Sequence, residues 1–90
     1  MALFSIRIQN KKGLHARAAA LFVKAIERFQ SEVWVTLGDQ KVSGRSIMGL
    51  MMLAAGQGTI LQIEVADGPE SAAIQTALIT LADEKFHESE

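Results

Sequence analysis

Residues 33–42, Val33-Trp34-Val35-Thr36-Leu37-Gly38-Asp39-Gln40-Lys41-Val42, contain the strongest fold signal in the chain. Val33, Val35 and Leu37 alternate with Trp34 and Thr36, the period of a strand with one buried face. Gly38-Asp39 is the kind of pair that closes a tight antiparallel hairpin, and Gln40-Lys41-Val42 returns as the next strand. Strands with a single apolar face predict an antiparallel sheet covered on one side and open to solvent on the other.

On the N-terminal side, Phe4, Ile6 and Ile8 alternate with Ser5, Arg7 and Gln9 as a first strand, and Asn10-Lys11-Lys12-Gly13 is a polar break. Ala19, Phe22, Val23, Ile26 and Phe29 then recur at helical spacing, which predicts a helix from about Ala16 to Phe29. On the C-terminal side, Ser43-Gly44-Arg45 interrupts the pattern. Ser46 is placed to cap a short apolar helix that ends near Gly56. Leu61, Ile63 and Val65 make a fourth strand, and Asp67-Gly68-Pro69-Glu70 opens a last helix that carries Ile74, Ala77, Leu78 and Leu81 to about Lys85. His87-Glu88-Ser89-Glu90 reads as a frayed tail. The predicted order is βαββαβα. It corresponds to an α+β open-faced two-layer sandwich with a four-stranded antiparallel sheet and three helices on one face. Leu3, Trp34 and Ile60 break strict alternation and are read as scattered surface or edge groups.

Ninety residues allow one domain, spanning 1–90, and 49% hydrophobic content is enough for its core. Nine Lys plus Arg against ten Asp plus Glu leave a formal charge of −1, which gives no footprint for nucleic acid or an anionic membrane. The absence of cysteine removes disulfides and thiolate sites. His15 and His87 alone are a poor basis for a metal, so neither metal nor cofactor is expected. The N-terminus lacks a signal-peptide pattern, and the apolar run Ile47 to Ala55 is too short to span a bilayer. The expectation is a cytoplasmic protein without membrane insertion.

Chemistry concentrates in Gly13-Leu14-His15-Ala16-Arg17, at the entry to the first helix. Unpaired amides and the positive end of the helix dipole converge there, so an imidazole at that point sits beside a ready-made site for a phosphoryl dianion. The same field disfavours the imidazolium and leaves a nucleophilic ring nitrogen at neutral pH. Arg17 lies in the first turn, where its guanidinium fork can approach a phosphoryl group on His15. Gly13 lets the chain turn sharply into the helix. No acidic residue is near His15 in sequence, which favours covalent phosphoryl relay over a base-activated hydrolase dyad.

This segment, followed by an alanine-rich amphipathic helix, resembles the active-site segment of the HPr family, the histidine-containing phosphocarriers of the bacterial phosphoenolpyruvate-dependent phosphotransferase system. Ser46-Ile47-Met48-Gly49-Leu50-Met51-Met52-Leu53-Ala54 is similar to the regulatory-serine helix of that family, at a matching separation. The resemblance covers essentially the whole chain. It implies phosphorylation of His15 at Nδ1 by enzyme I, delivery to enzyme IIA components for sugar uptake and its regulation, and contact of Arg17 with the phosphoryl group. Such a protein is a carrier and not a turnover enzyme. The departure is Ala18, where the family usually has proline; alanine supports the helix and leaves the approach to His15 less rigid.

Ser46 has a local role as helix cap. The resemblance adds a second, as the target of an HPr serine kinase/phosphorylase that adds nearly two negative charges to the docking surface. The short helix is apolar on more than one face, so Ile47, Met48 and Met51 are expected to form an adaptable exposed patch. Ala20, Leu21 and Lys24 follow Arg17 on its face of the first helix, and with Ala16 they complete a partner interface around His15. A monomer is the simplest form for a transient carrier. Two alternatives remain at this stage: a nitrogen-related regulatory phosphocarrier not coupled to sugar transport, and a non-catalytic regulatory binding module that docks through the Met-rich helix.

Overall fold

The structure, a computed structural model, describes residues 1–88. Its elements are β1 (Ala2–Arg7), α1 (Ala16–Ile26), β2 (Val33–Leu37), β3 (Gln40–Ser43), α2 (Ile47–Met52), β4 (Ile60–Val65) and α3 (Ser71–Asp83), followed by a single closing turn, Lys85–His87. The hairpin forms as its sequence dictates. Leu37 pairs with Gln40, and Gly38 takes a φ of 63° between them. The strand order is β1-β4-β2-β3, with every pairing antiparallel.

Register places one apolar row across the inner face: Phe4 opposite Ile63, Ile63 opposite Val35, and Val35 opposite Val42. Phe22 and Ile26 of α1, Leu50 of α2, and Ile74 and Leu78 of α3 are buried over that face. The outer face holds a surprise about its apolar residues. Leu3 and Trp34 are not scattered but flank Glu64 in one cross-strand row, and the Lys41 ammonium lies 3.4 Å from Glu64 and 5.5 Å from the centre of the Trp34 ring. The indole thereby gains a cation over its face and shelters the ion pair.

Helix α1 stops at Ile26, a turn earlier than its periodicity predicts. The cause lies elsewhere in the chain, at Arg45, whose guanidinium donates to the carbonyls of Ile26 (3.1 Å), Phe29 (2.8 Å) and Ser31 (2.6 Å). The cation thus joins the Phe29 amide on the Ile26 carbonyl at the helix end and takes the Phe29 and Ser31 carbonyls of the loop after it. Glu70 stands at the N-cap of α3 without capping it. Its carboxylate instead accepts from the amides of Gln30 (2.7 Å) and Ser31 (3.1 Å), and chiefly the Gln30 bond holds its pKa below the usual carboxylate range.

Helix α2 likewise ends before Gly56, at Met52, with Ala54 taking a left-handed φ of 53° just beyond the cap. Its start is as expected: the Ser46 hydroxyl accepts from the Gly49 amide at 2.9 Å. Removing that acceptor leaves an amide without its partner, so Ser46→Ala should cost about 1 kcal/mol. The check is a lower urea midpoint at unchanged m-value.

The closing turn corrects the expectation of a frayed tail. Lys85, Phe86 and His87 all lie in the left-handed region, with φ of 54°, 53° and 62°. Such backbone costs roughly 1–2 kcal/mol for each non-glycine residue. It persists because Phe86 is fully buried, which returns on the order of 2–3 kcal/mol, and because Glu88 beyond it is engaged as described below. Ser89 and Glu90 lie outside the described residues.

Candidate functional site

The loop after β1 is built around Asn10, which sequence reading treated only as part of a polar break. Asn10 is completely buried; its Nδ2 donates to the Gly13 carbonyl at 2.7 Å, and its own carbonyl accepts from the Gly13 amide at 3.2 Å. Gly13 has a φ of 71°, and a Cβ there would stand 2.4 Å from the Ala55 carbonyl oxygen and 2.9 Å from the Gly56 Cα. The next amide, of Leu14, donates to the same Ala55 oxygen at 2.8 Å, and the Leu14 side chain is buried. The loop is thus pressed against residues 55–56, and it delivers His15 as the N-cap of α1.

The His15 backbone is extended, its carbonyl accepts the first helical hydrogen bond from Ala19 at 2.8 Å, and its side chain caps nothing. The ring is therefore not used in capping the helix it precedes. Its Nε2 is paired with a carboxylate oxygen, Oε2 of Glu88. The other oxygen of Glu88 accepts from Asn10 Nδ2 at 3.1 Å. The acid next to His15 thus comes from 73 residues away, which the local sequence, with no acidic residue near His15, could not reveal.

The Glu88 side chain is only 8% exposed against 31% for His15, so the pair has one sheltered and one open member. Burial pushes the Glu88 carboxyl up. Hydrogen bonds from His15 and Asn10, with the Lys12 ammonium nearby, outweigh it and hold the group below the usual glutamate value. Asn10 Oδ1 is left buried without a hydrogen-bond partner among the described residues, the opposite end of an amide whose donor side is fully used.

Arg17 is exposed and makes no hydrogen bond or ion pair among the described residues. Ala18 is fully buried in the core. Ala16, Ala20 and Lys24 are exposed and Leu21 is half-buried. Ile47, Met48 and Met51 are exposed, as is Met52, which the sequence reading left out; Met48 and Met52 are 71% and 72% accessible. Helices α1 and α2 pack against each other, which brings the two strips alongside one another. No helix among the described residues is long and apolar enough to cross a membrane.

Comparison with known proteins identifies the family and agrees with the fold. Residues 3–84 match the family model described as the HPr component phosphorylation site of the phosphotransferase system. The phosphocarrier protein HPr of Neisseria meningitidis serogroup A is 51% identical over 86 residues, 96% of each chain, and that of Treponema pallidum is 40% identical over 88 residues, 98% of this chain and 99% of its own. The crystal structure of an HPr from Thermoanaerobacter tengcongensis superimposes with a TM-score of 0.91 at 40% identity, covering all of both chains. A second structure from that organism, described as an HPr dimer, gives 0.74 at 41% identity over 98% of this chain and all of the other.

Proposed function

Since the chain belongs to the HPr family and is a phosphocarrier of the phosphotransferase system, we propose that His15 Nδ1 is the atom that carries the phosphoryl group, taken from phospho-enzyme I and passed to enzyme IIA components. The placement of His15 supports this most strongly. The ring stands at a helix N-terminus, caps nothing, and offers Nδ1 while Nε2 is held by Glu88.

In acceptance, the Nδ1 lone pair forms a bond to phosphorus as the bond between phosphorus and the donor's nitrogen breaks. The loose PO₃ group in flight needs charge stabilisation and alignment more than covalent help. The Arg17 guanidinium and the first amides of α1 supply the former. Docking through Ala16, Ala20, Leu21, Lys24, Ile47, Met48 and Met51 supplies the latter, and the flexible methionines let one surface serve both a donor and several acceptors. Delivery runs the same step backwards. The carrier acts in the cytoplasm as a monomer, because His15 must be reachable by two partners in turn.

The direct test is phosphorus NMR after reaction with phosphoenolpyruvate and enzyme I. The expected signal is an acid-labile Nδ1-phosphohistidine that disappears when an enzyme IIA is added. No signal, or one from another residue, would refute the assignment. Recovery of the enzyme IIA species bound by the phosphorylated chain separates sugar delivery from the nitrogen-related branch.

Ser46 carries a regulatory reading as well. Its hydroxyl caps α2 immediately before the exposed Ile47 and Met48. A phosphate there would keep the favourable helix terminus and set close to two negative charges against the docking strip. An HPr serine kinase/phosphorylase is the partner this reading requires.

A further inference from the structure

We propose that Glu88 is a positioning residue for His15: its carboxylate holds the imidazole in the Nε2–H tautomer and thereby keeps the lone pair on Nδ1. The inference rests on the assignment of His15 as phosphoryl acceptor and adds to it how the acceptor atom is selected. Glu88 lies beyond residues 3–84, the span matched by the family model.

The argument starts from hydrogen-bond capacity. A carboxylate can only accept, so a neutral imidazole facing it through Nε2 must carry its proton there, and Nδ1 is then the nitrogen with the free pair. An unpaired neutral histidine exchanges between tautomers. One clamped by an acid does not, and its ring plane is fixed as well. The clamp is itself anchored: Oε1 of Glu88 is held by Asn10 Nδ2, and the same nitrogen ties down the Gly13 carbonyl in the loop that presents His15. One buried amide thus links the tail to the loop on either side of the ring. Further back, the buried Phe86 ring holds a left-handed turn that points Glu88 at this spot, and a tail with no role would relax out of such backbone.

The electron count during transfer gives the carboxylate a second effect. When Nδ1 donates its pair to phosphorus, the donor's nitrogen keeps the electrons of the broken bond and no proton leaves the acceptor ring. Nε2 remains protonated, the ring gains positive charge, and Glu88 faces that charge from the opposite nitrogen. Acceptance is favoured for the same reason that an acid behind a catalytic histidine favours the cationic ring. On delivery the bonding pair returns to Nδ1, and the Nε2 proton stays in place throughout.

The experiment compares Glu88→Ala and Glu88→Gln with the parent chain. The first readout is the tautomer of His15 from nitrogen-15 NMR of the imidazole, recorded without any donor. The parent is expected to show a single Nε2–H form. Glu88→Ala should show a mixture, and Glu88→Gln should keep a larger share of the Nε2–H form, because its one amide oxygen can still accept from the ring but not from Asn10 at the same time. The second readout is the rate of phosphorylation by enzyme I, expected to fall roughly tenfold in Glu88→Ala, about 1.4 kcal/mol in the barrier, with a smaller loss in Glu88→Gln. A purely structural tail would change neither the tautomer nor the ordering of the two variants. An unchanged tautomer in Glu88→Ala overturns the proposal, and so does a rate equal to or above that of the parent. If the parent itself forms no phosphohistidine, the assignment of His15 fails instead, and the tautomer measurement still judges Glu88.

Discussion

His15→Ala should reduce the acid-labile phosphoryl adduct to nothing detectable while the domain remains folded. Both halves of that outcome follow from the site. The His15 backbone carbonyl makes the first helical hydrogen bond, which alanine preserves, and the imidazole contributes no cap to be lost. The structural loss is the partner of Glu88, whose carboxylate keeps its bond to Asn10, so the cost should stay near the ~1.5–3 kcal/mol of one broken charged hydrogen bond. Chemically nothing replaces the ring. Mass spectrometry after incubation with phosphoenolpyruvate and enzyme I, beside a thermal melt, checks both parts. An adduct that survives in the variant would place the acceptor elsewhere, and a collapsed melt would show that the ring is structural.

Gly13→Ala has the larger expected effect on stability. Alanine at a φ of 71° carries the left-handed penalty of roughly 1–2 kcal/mol. Its methyl would also sit 2.4 Å from one backbone atom and 2.9 Å from another, neither of which can rotate aside as a side-chain tip can. Relief requires the loop to part from residues 55–56, which strains or breaks the Leu14 to Ala55 hydrogen bond, worth ~1 kcal/mol. The sum is about 3 kcal/mol or more, read as a lower denaturant midpoint. Gly38→Ala is the control. Gly38 has a nearly equal φ of 63° but nothing within 4 Å of its missing Cβ, so its cost should be the conformational penalty alone. The difference between the two variants measures the crowding. Equal losses at both positions would show that the contact with Ala55 is soft.

How far this molecule could be read beforehand depends on whether the cause of each feature is local. The hairpin at Gly38-Asp39, the Ser46 cap, the exposed Met48 and the entry of His15 into α1 each follow from a few neighbouring residues, and each is found where periodicity and turn chemistry place it. The early end of α1 did not follow, because Arg45 draws on carbonyls from 14 to 19 residues away. Glu70 suggested a helix-starting acid, yet its carboxylate serves the amides after α1, about 40 positions distant. The same limit hid Asn10 and Glu88. An asparagine in a polar loop and a glutamate in a charged tail look like solvated residues until the closing turn carries one to the other. The one local hint was an asparagine just before a turn glycine, since asparagine side chains readily bond nearby loop backbone.

The single tryptophan of the chain, Trp34, sits beneath the Lys41 ammonium on the sheet face turned away from the helices. Its fluorescence should therefore follow unfolding, as the ammonium leaves and water surrounds the indole, and stay silent when another protein settles over the methionines on the far side. The chain carries its own optical gauge of integrity, one that occupancy of the carrier surface does not disturb.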